Sequence, residues 1–302
     1  MRSYLALIAI DLRLALRNRS VLFFNYLFPV IFFLVFAQFM GEALGGGIAY
    51  VVGMVFILGI LGNGLFGAGV RATQEREANI LRRFKVTPVS PTPLLVASMI
   101  TGWVVFIPTV VIVMGMAHFA YGMPVPERWL SLFVLVSVGV VAFRSIGLIV
   151  ASVANSMQES NILVQLLYMP MLFLSGATFP LSSLPEWARV VAQFLPASYL
   201  VTGFQGIFYR QETLLQNWSS VLALVATTVL AIFVSSQLFR WEKDEKIRSS
   251  AKLWVLGVLL PFVILGSYQV WSQEHLSKAD TLWRNLQQQE IPVDEERDGA
   301  RR

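Results

Sequence analysis

Seven stretches of this sequence are predominantly apolar for 19 residues or more, at positions 21–40, 48–70, 94–117, 129–154, 161–179, 218–239 and 253–271. At ~1.5 Å of rise per helical residue even the shortest reaches about 28 Å, close to the ~30 Å hydrocarbon core of a bilayer. Membrane-spanning strands alternate apolar and polar residues, and these runs do not, so each is read as a helix. Charged residues make up only 14% of the chain, against about 25% in a soluble domain. The fold class is therefore an all-α polytopic membrane protein. Pro29, Pro108, Pro170 and Pro261 fall inside runs, where membrane helices accommodate them by kinking. Trp254, Tyr268 and Trp271 flank the seventh run as interfacial anchors.

The basic residues orient the chain. The segment before run one, the connection between runs two and three, and that between runs six and seven hold 14 of the 23 Lys and Arg residues. The opposite-side loops hold Arg128, Arg189 and Arg210. Positive charge stays on the cytoplasmic side, so the amino terminus is expected there and a genuine seventh span puts the tail outside. The early apolar residues are not read as a cleaved leader, because Asp11 and Arg13 interrupt them. Instead Leu5, Ile8, Leu12 and Ala15 form a helical stripe, an interfacial helix over 1–20. A basic linker follows at 241–252 and a polar tail at 272–302; no internal repeat is present.

What is missing narrows the chemistry. No Gly-Lys dipeptide occurs, so the phosphate-cradling G-x-x-x-x-G-K-[ST] loop is absent. No Asp or Glu lies within a run, which disfavours a proton relay and intramembrane acid–base catalysis. There are no cysteines, hence no thiolate metal site or thiol nucleophile. No catalytic, cofactor or metal residues are expected, and nucleic acid is not an expected partner of charges held against a bilayer. Arg144 alone places a charge deep within a run, ~15 Å from the cytoplasmic end. Such a residue either lines a pathway or is bonded structurally to carbonyls, and both readings stand. Gly53, Gly59, Gly62, Gly64, Gly67 and Gly69 mark run two as a helix–helix contact, within one chain or between two.

The loop after run two reads R-A-T-Q-E-R-E-A-N-I-L-R-R-F-K-V-T-P. A separate helix is expected over 73–87, with Thr73 as N-cap, Glu75 and Glu77 in the first turn, and Arg82, Arg83 and Lys85 near the end. Pro88 stops it by forcing Thr87 out of helical geometry. Ile80, Leu81 and Phe84 make an apolar patch suited to docking into a partner's groove. Between runs five and six, S-G-A-T-F-P-L-S-S-L-P-E-W is followed by L-P-A-S-Y. There Ser183 and Glu186 form an expected capping box, and Trp187, Val190, Val191, Phe194 and Leu195 a helical stripe on an element too short to span.

The pattern E-x-E-x-x-x-L-x-x-F-x-x-T-P resembles the cytoplasmic coupling segment of ABC-2 type transporter permeases, the membrane subunits of ATP-binding cassette exporters. A glycine commonly precedes the hydrophobic pair in that family, where this chain has Asn79. The segment between runs five and six resembles the short helices that close the outer side of the family's pathway, and the two likenesses with the run spacing cover residues 4–240. The resemblance implies a six-helix transmembrane domain over 21–240, with outer re-entrant helices over 180–210 and an additional seventh span here. It implies that Glu75, Glu77, Ile80, Leu81, Arg82, Arg83, Phe84, Thr87 and Pro88 meet an ATPase subunit, which binds ATP and Mg. Gly176, Pro180, Pro185, Trp187, Phe194 and Pro196 are the outer-gate candidates. The implied function is the permease of an exporter in a bacterial inner membrane. It would be paired with a second permease copy and would move a lipophilic drug or lipid-like substrate. The alternatives are an ATPase-driven scaffold or mechanotransmitter and a membrane-embedded lipid-modifying enzyme.

Overall fold

The computed structural model describes residues 2–40, 47–81, 91–240, 242 and 257–271, and among these every regular element is helical. Helix α1, Arg2–Arg17, packs on α4; of the expected stripe Ala15 is buried, Ile8 and Leu12 are half-buried and Leu5 is exposed, as are Ile10, Leu14 and Leu16. Helix α2 runs from Arg19–Leu22 through a π-helical turn, Phe23–Leu27, into Phe28–Met40. Helix α3 is Gly47–Glu77, α4 is Pro91–Tyr121, α5 is Trp129–Val153 and α6 is Met157–Leu174. A 3₁₀ turn, Leu181–Ser183, leads to α7, Glu186–Ala192, and α8, Pro196–Tyr209; α9 is Trp218–Gln237 and α10 is Leu260–Trp271.

Helices α3, α4, α5 and α9 are long and apolar enough to cross a membrane, and α7 with α8 qualifies as a pair bent by 93°. Span five of the sequence reading ends earlier than expected, at Leu174, because the chain turns at Ser175 and Gly176 takes φ +89°, a conformation L side chains avoid.

The core is the crossing of α3 and α5. A Cβ at Gly64 would lie 2.5 Å from Phe143 Cβ, and one at Gly147 would overlap the Gly64 carbonyl oxygen. Only hydrogen at these positions lets the two backbones touch. Gly59 and Gly69 are occupied in the same way, against Phe106 and Gly147, so these glycines of run two serve contacts within one chain. Phe56, Ile60, Leu65, Phe143, Leu200 and Ile207 close around the crossing.

Two capping expectations fail. Thr73 begins no helix: α3 continues through it for 31 residues, about 46 Å, well beyond a hydrocarbon core. The Thr73 hydroxyl is fully buried and donates to the Gly69 carbonyl at 3.1 Å, the back-bond of a threonine inside a helix. The capping box is also absent, since Ser183 Oγ donates to the Pro180 carbonyl and Pro185 occupies the N-cap of α7. On α7 Ala188 and Ala192 are buried, while Trp187, Val190 and Val191 of the expected stripe face outward. A lipid-facing helix keeps its larger apolar residues outside.

The described part of the seventh span is shorter than expected, with α10 only about 18 Å long. Its packing nonetheless has direction. Val258 joins Ile149, Val234 and Leu238 near the C-terminal end of α9. Phe262 meets Tyr199 with ring centroids 5.4 Å apart, and Gly266 lies against Gln193 and Phe194. The segment therefore climbs antiparallel to α9 toward the α7–α8 bend. Residues 253–256 and the tail from 272 lie outside the described residues.

Candidate functional site: the α3–α5–α6 junction and the polar network beside it

The protruding end of α3 carries a row of charged side chains, each with a partner in this chain. Arg71 donates from Nη2 to Asp11 Oδ1 of α1 at 2.6 Å and from Nε to Glu75 Oε1 at 2.9 Å. All three side chains are roughly a quarter to a third exposed, so each pair contributes at most about 1 kcal/mol, and of the two only Arg71–Asp11 joins α1 to α3. One turn on, Arg76 is only 3% exposed. Its Nη1 donates to the Ala151 carbonyl at 2.7 Å and its Nη2 to the Ala154 carbonyl at 2.5 Å. These are carbonyls of the last turn of α5, which have no partner within their own helix. Arg240, just past α9, donates to the same Ala154 oxygen and, at 3.1 Å, to Asn155 Oδ1.

The next residue acts on the following helix. Glu77 Oε1 accepts from the backbone N–H of Met157 at 3.0 Å, the first residue of α6. Ser156 caps the same terminus by accepting from the Glu159 N–H, and Glu159 Oε2 accepts from the Asn155 N–H. Two cations thus sit at the negative end of the α5 dipole and two carboxylates at the positive end of α6, the favourable sign at both. A cavity of about 520 Å³ opens beside this junction, lined by Glu77, Ser156, Gln158, Asn161 and Gln165 among others.

After Glu77 the chain turns at Ala78, and Asn79 takes φ 56°. That is the left-handed region, which asparagine tolerates better than other side-chain-bearing residues and glycine best of all. A residue of this kind at position 79 is therefore what the backbone demands. Ile80 is exposed and Leu81 buried against this chain, so of the expected docking patch Ile80 faces out and Leu81 does not. Arg82, Arg83, Phe84, Thr87 and Pro88 lie outside the described residues.

Within the membrane-spanning region Arg144 is buried and bonded. Its Nη1 donates to Asn63 Oδ1 at 2.8 Å and to the Asn63 carbonyl at 3.1 Å; Nη2 donates to Ser98 Oγ at 2.9 Å. The guanidinium lies flat against Gly102, where a Cβ would overlap it. Asn63 Nδ2 donates onward to Asn25 Oδ1 at 2.9 Å, and Thr109 Oγ1 donates to the Asn25 carbonyl at 2.5 Å. Asn25 and Asn63 both sit in π-helical stretches, Phe23–Leu27 and Gly62–Val70. One polar chain thus links α2, α3, α4 and α5, with Arg144 at its centre.

At the opposite end of the bundle, Tyr50 Oη donates to the Gly176 carbonyl at 3.4 Å, joining the turn after α6 to α3. Pro180 precedes the 3₁₀ turn, Pro185 precedes α7, and Pro196 occupies the first turn of α8, where its missing N–H costs nothing. Phe194 lies in the bend, and Tyr199 Oη donates to the Gln193 carbonyl at 3.0 Å, locking it. Of the expected outer-gate residues, Phe194 and Pro196 flank the bend, Gly176 lies against Leu181 and Val201, and Trp187 points outward.

Sequence reasoning did not pick out Asn25, Asn63, Ser98 and Asn155, or the buried roles of Arg76 and Arg240. Asn63 had a signal, being the one amide in run 48–70.

A family model described as ABC-2 type transporter matches residues 2–209. The chain is 28% identical over 200 residues to the inner membrane transport permease YhhJ of Escherichia coli (strain K12), covering 66% of this chain and 51% of that protein. It is 24% identical over 160 residues to the probable multidrug ABC transporter permease YbhS of the same organism, covering 53% and 42%. To the putative transport permease YvfS of Bacillus subtilis (strain 168) it is 19% identical over 240 residues, covering 76% and 94%. The chain thus spans about half the length of the Escherichia coli relatives it matches.

Proposed function

Since the chain belongs to the ABC-2 type transporter family, we propose that it is the permease subunit of an ATP-driven exporter in a bacterial inner membrane. Two copies form the pathway, and two separate ATPase chains bind ATP and Mg and drive it. The amino terminus lies in the cytoplasm and α10 leads the tail outside. The cargo is a lipophilic, drug- or lipid-like molecule, in keeping with relatives named as multidrug permeases.

The observation that carries this reading is the end of α3. The helix runs without a break from the membrane core to Glu77, and its last turn holds the C-terminus of α5 through Arg76 and the N-terminus of α6 through Glu77. A push delivered next to Ile80 therefore crosses only the turn at Ala78 and Asn79 before it reaches three helices. Exposed Ile80, with Phe84 four positions on in the sequence, enters the ATPase, while buried Leu81 braces Ile80 from within.

Purification in mild detergent from the native host tests the pairing: an ATPase carrying a G-x-x-x-x-G-K-[ST] loop should co-purify. Ile80→Asp combined with Phe84→Ala should release it while the permease stays in the membrane. Removing two large apolar anchors, each worth about 1.5–3 kcal/mol, weakens docking at least a hundredfold. A double variant that keeps its ATPase in full would contradict this placement.

A further inference from the structure

The lower half of α2 carries a built groove that the transport reading does not use. It has a volume of about 590 Å³ and is lined by Arg19, Leu22, Tyr26, Leu27 and Val30 of α2 and by Ile112 of α4. Its wall is the π-helical turn Phe23–Leu27, where one extra residue per turn displaces Tyr26 and Leu27 from the regular helical path. That turn is pinned from both sides. Tyr26 Oη donates to the Val105 carbonyl at 3.0 Å, and the Asn25 carbonyl accepts from Thr109 while its side chain accepts from Asn63. Wide turns of this kind recur where a helix has been shaped for a ligand.

We propose that this groove binds one anionic phospholipid of the cytoplasmic leaflet, with the phosphate on Arg19 and one acyl chain lying along α2. The length fits: from Arg19 to Val30 is eleven residues, about 16 Å, and half of a ~30 Å hydrocarbon core is one leaflet. The polarity fits as well. Arg19, at the cytoplasmic mouth, is the only charged residue in the lining, and every residue beyond it has an apolar body. Arg19 is exposed and has no acidic partner among the described residues, and Arg17 on the adjoining end of α1 is exposed too. A zwitterionic lipid or an apolar cargo would neutralise less of this charge. A second copy packing this face of α2 on itself would bring no carboxylate, because 19–40 contains none. The proposal does not depend on the transport reading.

Native mass spectrometry of the full chain in mild detergent, titrated with phosphatidylglycerol or with phosphatidylcholine of the same acyl chains, tests it. The wild type should retain one phosphatidylglycerol in preference to phosphatidylcholine. Arg19→Gln should reduce that preference about five-fold, the usual worth of one interfacial basic residue, and Arg19→Lys should restore most of it. Val30→Trp, which fills the groove without touching the charge, should remove the bound lipid of either type; if that variant does not fold, Ile112→Trp fills it from the opposite wall. An unchanged headgroup preference in Arg19→Gln overturns the proposal. So does an unchanged lipid count in the filled-groove variant.

Discussion

Replacing Arg76 with alanine should loosen the α5–α6 junction without unfolding the bundle. Arg76 is 97% buried by its own 3% exposure, and it makes two charge-assisted hydrogen bonds, to the Ala151 and Ala154 carbonyls. A buried bond from a charged donor contributes about 1.5–3 kcal/mol. Ala154 keeps Arg240, so only the Ala151 bond is lost without replacement, and the local cost comes to about 2–4 kcal/mol. At 1.4 kcal/mol per tenfold, opening of the junction rises at least about thirty-fold. Hydrogen exchange on the full chain in detergent reads this directly, in the amides of residues 154–160. Those of the α3–α5 crossing, around Gly64 and Gly147, should stay protected because that contact is untouched. Arg76→Lys should fall between, since an ammonium lacks the planar fork that serves two carbonyls at once. Arg76→Ala combined with Arg240→Gln should cost more than the sum of the singles by about 0.5–3 kcal/mol, because only the pair strips Ala154 of both donors. Exchange at the junction within about twofold of wild type in Arg76→Ala would refute the clamp.

Other substitutions probe other parts of the fold. Gly147→Ala would drive a methyl into the Gly64 carbonyl and should cost about 1–3 kcal/mol or more, read as a lower Tm in detergent. Gly53→Ala, with open space around it, should be neutral or stabilising by up to ~1 kcal/mol. Gly102→Ala should be damaging in the wild type but tolerated in an Arg144→Ala background, because the guanidinium is what the new methyl meets; equal damage in both backgrounds would remove Arg144 from its place against Gly102. A reporter fused after Arg302 should appear outside and one at Lys246 in the cytoplasm, and two cytoplasmic reports would exclude a seventh span.

The long apolar helices were legible because hydrophobic length is a property of the chain alone. Where the sequence misled, the error came from treating charge and threonine as solvent-facing. Thr73 resembles a cap, yet its hydroxyl finds the Gly69 carbonyl one turn back, so the helix has no reason to stop there. Arg76 and Glu77 sit in a charged run that reads as a solvated face. Their targets are helix termini some 80 residues away, and no local pattern discloses such partners. Arg144 stood out as the lone deep charge, but its partners Asn63, Ser98 and Gly102 come from two other helices, which no local pattern discloses. The stripe of α7 was legible from spacing alone, and Trp187, Val190 and Val191 form its exposed face.

Reconstitution of the permease with its ATPase in liposomes, comparing wild type with Arg76→Ala, tests the proposed force path most directly. If motion passes from the ATPase through the end of α3 into α5 and α6, the variant complex should remain assembled and hydrolyse ATP, while ATP-dependent export of a lipophilic probe falls at least about tenfold. Export at the wild-type rate, from a variant whose junction exchanges faster by the expected thirty-fold, would contradict it.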